Sequence, residues 1–286
     1  MNDVPTASPL TSGVHVHPTP EAAGADAART AAAAILDALR ARGRARVIFA
    51  SAPSQEQMLA ALAADARIDW SLVTSFHMDE YLGLAPDRPQ AFGRWLQDRL
   101  PAAAQAGFVR IDTTADPTAE AARYAGLLSE APIDLTCLGL GINGHVAFNE
   151  PDVARFDDPE QLRVIELDAR SRDQQVAEGL FDTLDDVPTR ALTLTVPALT
   201  SAAVVVATVL GAHKARAVAD ALVGPVSPSC PGSVLREHPR ASMHLDAAAA
   251  SLLPEPAGVP EPAGVPEPAG VPVRTGAGAS GHVTAS

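Results

Sequence analysis

The chain has 286 residues, with 21 Lys+Arg against 34 Asp+Glu, a net charge of −13 and a pI near 4.9. That acidity lacks the broad basic field that nucleic-acid binding requires, and no run approaches the ~18–20 uncharged apolar residues of a membrane span. Two cysteines, Cys137 and Cys230, make neither a disulfide framework nor a zinc site. The N-terminus shows no basic start followed by an apolar core, so a reduced cytoplasmic setting is expected.

In chain order, residues 1–18 are polar and read as a flexible arm. Thr19-Pro20 opens a long Ala-rich helix to about Arg42, with Pro at its first position. Val47-Ile48-Phe49-Ala50 is a buried strand. Ser54-Gln55-Glu56-Gln57 has the pattern of a capping box and opens a helix to about Ala64. Strands follow at 73–76, 109–111, 133–139, 164–167, 191–196, 204–210 and 242–245. Helices are expected at 90–100, at 116–129 with Asp116 as cap, at 171–180, and from Gly211 to Leu222. Residues 254–272 repeat Pro-Glu-Pro-Ala-Gly-Val three times and, with the Gly/Ala-rich end, read as a disordered tail over 253–286. Residues 19–252 are left as one α/β domain. Its short apolar strands alternate with helices, which predicts a mainly parallel, doubly wound, Rossmann-like sheet with helices on both faces. Ligands in such sheets bind at the carboxyl ends of the strands.

Four strand ends carry chemistry. Ser51-Ala52-Pro53-Ser54 runs into a helix N-terminus, where backbone N–H groups and the helix dipole favour an anion. An ordinary βα turn has the same signature. His77-Met78-Asp79-Glu80-Tyr81 places Asp79 in the crevice mouth, where partial burial suits a general base; the alternative is a solvated acidic loop. Gly141-Ile142-Asn143-Gly144-His145 continues to Glu150-Pro151. Here His145 is the residue type best suited to moving protons near neutral pH, and Asn143 and Glu150 could orient it. Finally, Gly211-Ala212-His213-Lys214 puts a cation in the first turn of a helix, where it opposes the dipole unless it helps hold an anion. The basic residues are 20 arginines and this single lysine. Composition drift explains the loss of lysine elsewhere, but arginine does not replace a compact point charge. His15, His17, His238, His244 and His282 are scattered without metal-ligand spacing, so no metal is expected.

Phe76-His77-Met78-Asp79-Glu80-Tyr81 resembles the Phe-x-Met-Asp-Glu-Tyr signature of the glucosamine-6-phosphate deaminase/isomerase family. Residues 141–151 resemble that family's Gly-His-(x)-(Ala/Gly)-Phe-Asn-Glu-Pro loop, and Ala191-Leu192-Thr193, Gly211-Ala212-His213-Lys214 and residues 225–235 are similar in order and spacing. The resemblance spans about residues 25–250. It implies conversion of glucosamine 6-phosphate and water to fructose 6-phosphate and ammonia, with no metal or organic cofactor. His145 would open the sugar ring, with Asn143 and Glu150 orienting it. Asp79 would carry the proton from C2 to C1, and the resulting imine would be hydrolysed. Lys214 would hold the phosphate with Ser51, Ala52, Ser54 and Gln55 of the first turn, and Arg172 (or Arg170) would stand in for a phosphate-binding arginine that other members carry near position 179. The 50–54 turn departs from the family's Gly- and Thr-rich pattern, and Asn143 stands where many members have Asp. The effector residues of regulated members are not matched over 151–167, which implies unregulated kinetics. Another hexosamine phosphate, such as galactosamine 6-phosphate, or a non-catalytic sugar-phosphate sensor are the alternatives. A small sugar phosphate is the expected partner; a homo-oligomer is left open.

Overall fold

The computed structural model describes residues 13–254, positions 152, 168 and 178 excepted. The compact unit that ends at Leu253 contains every described element; the repeat tail lies outside the described residues.

The elements in chain order are β1 (Val14–His17), α1 (Pro20–Arg42), β2 (Ala45–Phe49), α2 (Glu56–Ala63), β3 (Val73–His77), β4 (Asp79–Leu82), α3 (Phe92–Gln97), β5 (Phe108–Val109), α4 (Pro117–Ser129), β6 (Leu135–Leu138), β7 (Leu162–Glu166), α5 (Ala169–Ala177), β8 (Arg190–Leu194), α6 (Val196–Thr200), β9 (Val204–Val209), α7 (Ala215–Val223) and β10 (Ala241–Asp246). Seven strands form one sheet in the order β1-β10-β9-β6-β2-β3-β5, and every pairing in it is parallel. The chain order reverses between β2 and β6: β3 and β5 add on one side, β9 and β10 on the other. Such a switch point leaves a crevice at the carboxyl ends of its two strands.

The two-residue period of the strands builds a core on each face. Val47 and Phe49 of β2, Leu135 and Cys137 of β6, and Val204 and Val206 of β9 join the α1 and α2 side. Their alternates Ile48, Leu138, Val205, Ala207 and Val209 join the opposite core with Tyr124, Val218 and Met243. Strands buried on both faces read as continuous apolar runs, which is why they were legible.

The caps of two helices match the sequence reading. Thr19 Oγ1 accepts from the Ala22 N–H, and α1 ends on Gly43 at φ +70°. Asp116 accepts from the Thr118 and Ala119 N–H groups. The capping box at Ser54 is not formed. A 3-10 turn over Pro53–Gln55 starts one residue earlier, so Ser54 sits inside it, and no side chain caps either segment.

Three elements differ from expectation. Residues 14–17 are an edge strand of the large sheet rather than part of a loose arm. Residues 79–82 and the strands around 162–166 and 190–194 form a separate antiparallel sheet, β4-β8-β7. Val196, expected as the end of a strand, instead opens the helix α6, for which Thr195 accepts from the Ala198 N–H.

Candidate active site

A cavity of about 510 Å³ opens at the switch point. Its walls come from four strand ends: Ser51, Ala52 and Ser54 after β2; Met78 and Asp79 between β3 and β4; Gly141 and His145 after β6; Gly211, His213 and Lys214 after β9.

Asp79 stands on the seam of the two sheets. The chain leaves the large sheet at His77, passes through Met78, and enters the small sheet at Asp79, which pairs with Thr193. The Met78 carbonyl accepts from the Leu194 N–H at 2.8 Å, closing the seam. Both neighbours of Asp79 are therefore held in ladders. Burial, with the adjacent Glu80 carboxylate adding repulsion, pushes the Asp79 carboxyl well above the ordinary carboxylate value. Glu80 turns away from the cavity and accepts from the N–H groups of Tyr81, Phe92 and Gly93 at 3.0, 3.0 and 2.8 Å. It thereby fixes the start of α3, whose Phe92 lines the cavity. His77 does not line the cavity. Its Nε2 accepts from the Ile111 N–H at 2.8 Å, and burial, then the nearby Arg110, lowers its pKa to about 3, so the ring is neutral and structural.

The 141–150 loop folds back on itself. The Asn143 amide donates to Glu150 Oε2 at 2.6 Å, and its Oδ1 accepts from the His145 N–H at 3.1 Å. The other Glu150 oxygen lies 2.8 Å from His145 Nδ1, off the line of an ideal hydrogen bond. Glu150 is thus the carboxylate that faces the imidazole, and Asn143 suits its place because an amide can donate to Glu150 where an aspartate could not. Gly141 makes room for the ring: a Cβ there would meet the imidazole at 2.2–2.4 Å. Gly144 has φ +84°, and Ala147, on the cavity wall, takes φ +50°.

The small sheet holds this loop from behind. Thr193 Oγ1 accepts from the Phe148 N–H, and the Asn149 amide donates to the carbonyls of Val146 and Leu194. Tyr81, Phe92, Phe148 and Phe181 pack with ring centroids 4.8–5.8 Å apart, contacts worth about 0.5–1.5 kcal/mol each beyond their buried area. The strand that carries Asp79 and the loop that carries His145 share one aromatic cluster.

At the opposite wall Lys214 is buried, 9 % exposed, and follows Gly211 at φ +91°. Asp246, at the end of β10, accepts from the Gly211 N–H at 3.0 Å and the Ala249 N–H at 2.7 Å, and so sets that turn. Ser51 donates to the Phe92 carbonyl at 3.0 Å. Gln55 does not line the cavity; its amide donates to the carbonyls of Leu138 and Thr208 and to Ser54 Oγ, bracing β6 and β9 just behind the turn. Arg172 is also elsewhere, donating to the carbonyls of Val187 and Leu184 at 3.2 and 2.5 Å. The side chain of Arg170 lies outside the described ones. Sequence reasoning missed Asp246, Gln175, Phe92, Phe148 and His213 as wall residues. Two of them had a signal: His213 stands beside Lys214, and Phe148 lies in the 141–151 loop.

A family model described as glucosamine-6-phosphate isomerases/6-phosphogluconolactonase matches residues 18–244. The chain belongs to this family. It is 37% identical over 193 residues to a glucosamine-6-phosphate deaminase of Exiguobacterium sibiricum, covering 67% of this chain and 75% of the relative. It is 35% identical over 213 residues to one of Listeria innocua, covering 74% and 89%. A solved structure of a monomeric glucosamine-6-phosphate deaminase superposes with a TM-score of 0.76 at 28% identity, over 84% of this chain and 99% of that one. A 6-phosphogluconolactonase of Shewanella baltica has a TM-score of 0.69 at 19% identity, over 84% and 100%, a likeness of fold. The family's α/β fold is the one described above, and among the described residues no helix is long and apolar enough to cross a membrane.

Proposed function

We propose that the protein is an amino-sugar-phosphate deaminase/isomerase that converts glucosamine 6-phosphate and water to fructose 6-phosphate and ammonia, acting in the cytoplasm. The observation that carries this reading is the joint lining of one cavity by Asp79 and His145, with Lys214 and the 51–54 turn on its other walls. The similarity to named deaminases supports the same substrate.

The chemistry divides along the cavity. His145, held by Glu150 and Asn143, transfers a proton at the ring oxygen and opens the pyranose. Asp79 removes the C2 proton, which the adjacent carbonyl acidifies, and returns it at C1. Water adds to the resulting C2 imine and ammonia leaves. A carboxyl held above its ordinary value is a stronger base once ionised, and such tuning toward the working pH is what proton abstraction from carbon requires. Lys214 and the helix-start N–H groups take the phosphate dianion.

An ammonia-release assay over a panel of aminohexose phosphates tests the reading. Release from glucosamine 6-phosphate with fructose 6-phosphate as co-product is expected. Preference for galactosamine 6-phosphate would change the sugar. Binding of a hexose phosphate without turnover would make the protein a sensor, and hydrolysis of 6-phosphogluconolactone without ammonia would make it a lactonase.

Lys214→Arg probes the phosphate wall. The planar guanidinium is bulkier and cannot reproduce a point charge in a buried site, so KM for the phosphosugar should rise roughly 10-fold, about 1.4 kcal/mol. Unchanged KM and kcat would detach Lys214 from the phosphate.

A further inference from the structure

Four polar side chains, three near the N-terminal end of the fold and one on β10, meet at one edge of the large sheet. Strand β1 runs parallel to β10 with His15 opposite His244, and His17, two residues on, shares the face of His15. Asp26 reaches the same place from the second turn of α1. Its Oδ2 lies 2.9 Å from His244 Nδ1, 3.1 Å from His17 Nε2 and 3.6 Å from His15 Nδ1, while its other oxygen accepts from Arg29 at 2.7 Å. The rings of His15 and His244 stack at 4.7 Å.

One carboxylate oxygen has about two acceptor positions; the His244 and His17 nitrogens stand at both, at 2.9 and 3.1 Å, and His15 Nδ1 lies a little further out at 3.6 Å. A cation among them would take a lone pair from each neutral ring and be balanced by the carboxylate. The candidate donor atoms of His15, Asp26 and His244 all lie within 4.8 Å of one another; because imidazole lone pairs lie in the ring plane, the partly exposed His15 ring must turn out of its parallel stack on His244 for all three to reach the ~2.0–2.2 Å bonds of a zinc centre. The next shell is present too. Ser242 Oγ lies 3.1 Å from His244 Nε2, and a hydroxyl can either donate to that nitrogen or accept from it. With a metal on the lone pair of Nδ1, the neutral His244 ring carries its single proton on Nε2 and donates it to Ser242, the arrangement that orients metal-bound histidines. His244 is fully buried while the His15 side chain is 42 % exposed, so the cluster has a closed floor and an open entrance.

We propose that His15, Asp26 and His244 form a site for a divalent transition metal of the zinc class, with His17 adjacent as a further ligand, and that the metal pins β1 and the start of α1 to β10. Imidazole-rich donors favour zinc, nickel or copper over magnesium or calcium, which demand oxygen ligands. The role is structural, separate from the proton-transfer groups at the cavity.

The test uses the tag-free full-length chain, stripped with chelator, dialysed against zinc and measured by elemental analysis and zinc titration. One tightly held zinc per chain is expected, together with tetrahedral d–d bands on cobalt substitution and no competition by magnesium. His15→Ala and Asp26→Asn should each weaken zinc binding about 10–100-fold or more. The partly exposed His15 is the safer variant, and an unchanged melting curve in chelator shows that it folds. No retained zinc, or the same affinity in both variants, would overturn the site. Neither readout depends on ammonia release, so the deaminase reading stands or falls separately.

Discussion

Asp79→Asn should abolish ammonia release and at the same time raise the melting temperature at neutral pH. The first half follows from the loss of the one carboxylate that, among the described residues, lines the cavity beside the 141–145 loop, Asp246 being engaged at the Gly211 turn. Positioned proton transfer contributes about 10²–10⁴-fold, and here one group is asked to take and return the proton, so a loss of at least 10³-fold is expected. The second half follows from linkage. The folded protein holds the Asp79 proton more tightly than the unfolded chain does, because ionisation in the buried seam is opposed by lost solvation and by Glu80. As pH rises above the ordinary carboxylate value of about 3.9, the unfolded state gives up its proton first and folding stability falls. Asparagine removes that penalty. A gain of ~1 kcal/mol would raise Tm by about 2–4 °C in a domain of this size; the gain should have shrunk by pH 4, where Asp79 of the unfolded chain is about half protonated, and should vanish at lower pH, where Asp79 is protonated in both states. Calorimetry at pH 7 and pH 4 checks this, and an unchanged or lower Tm at pH 7 would refute it. The same raised carboxyl sets the acid limb of the pH profile: kcat/KM should fall on acidification with a midpoint above the normal carboxylate range.

Gly141→Ala should cost about 10²-fold in kcat/KM while leaving the fold intact. The added methyl would lie 2.2–2.4 Å from the His145 ring, so the ring must swing away from Glu150. A displacement of about 1 Å at a reacting group is enough for a loss of that order. The contact is to one movable side chain, so stability should change little, and the effect belongs in turnover rather than in Tm. Gly144→Ala is a contrasting case. It forces strain at φ +84° and meets Cys230 Sγ at 2.6 Å, so both stability and activity should fall. If Gly141→Ala keeps wild-type turnover, the imidazole is not placed by this loop.

The large sheet was readable because its central strands are buried on both faces and appear as uninterrupted apolar runs such as Val204–Val209. The small sheet was readable in part: strands were expected at 164–167 and 191–196, close to β7 and β8, but not at β4. Asp79-Glu80-Tyr81-Leu82 carries two acids, and in isolation they look like a solvated turn; their burial depends on β8, more than 100 residues away, and on Phe92 and Gly93 donating to Glu80. The catalytic candidates Asp79, Asn143, His145 and Glu150 were found because a strand end exposes them, a consequence of local order. Gln55 and Arg172 were misplaced because a long side chain can turn back to backbone carbonyls as readily as toward a ligand, and sequence position does not distinguish the two. Asp246 escaped notice because its task, receiving the Gly211 N–H, exists only once β9 and β10 lie side by side. The histidines at 15, 17 and 244 looked scattered for the same reason.

The single lysine in the cavity wall also makes the protein unusually simple toward amine chemistry. Acylating agents, cyanate and aldehydes such as pyridoxal phosphate meet one side-chain amine in the whole sequence, and it lies in the cavity. Labelling at Lys214, separated from the α-amino group by peptide mapping, would therefore read occupancy of the phosphate wall, with phosphosugar shielding Lys214 and no background from a field of surface lysines.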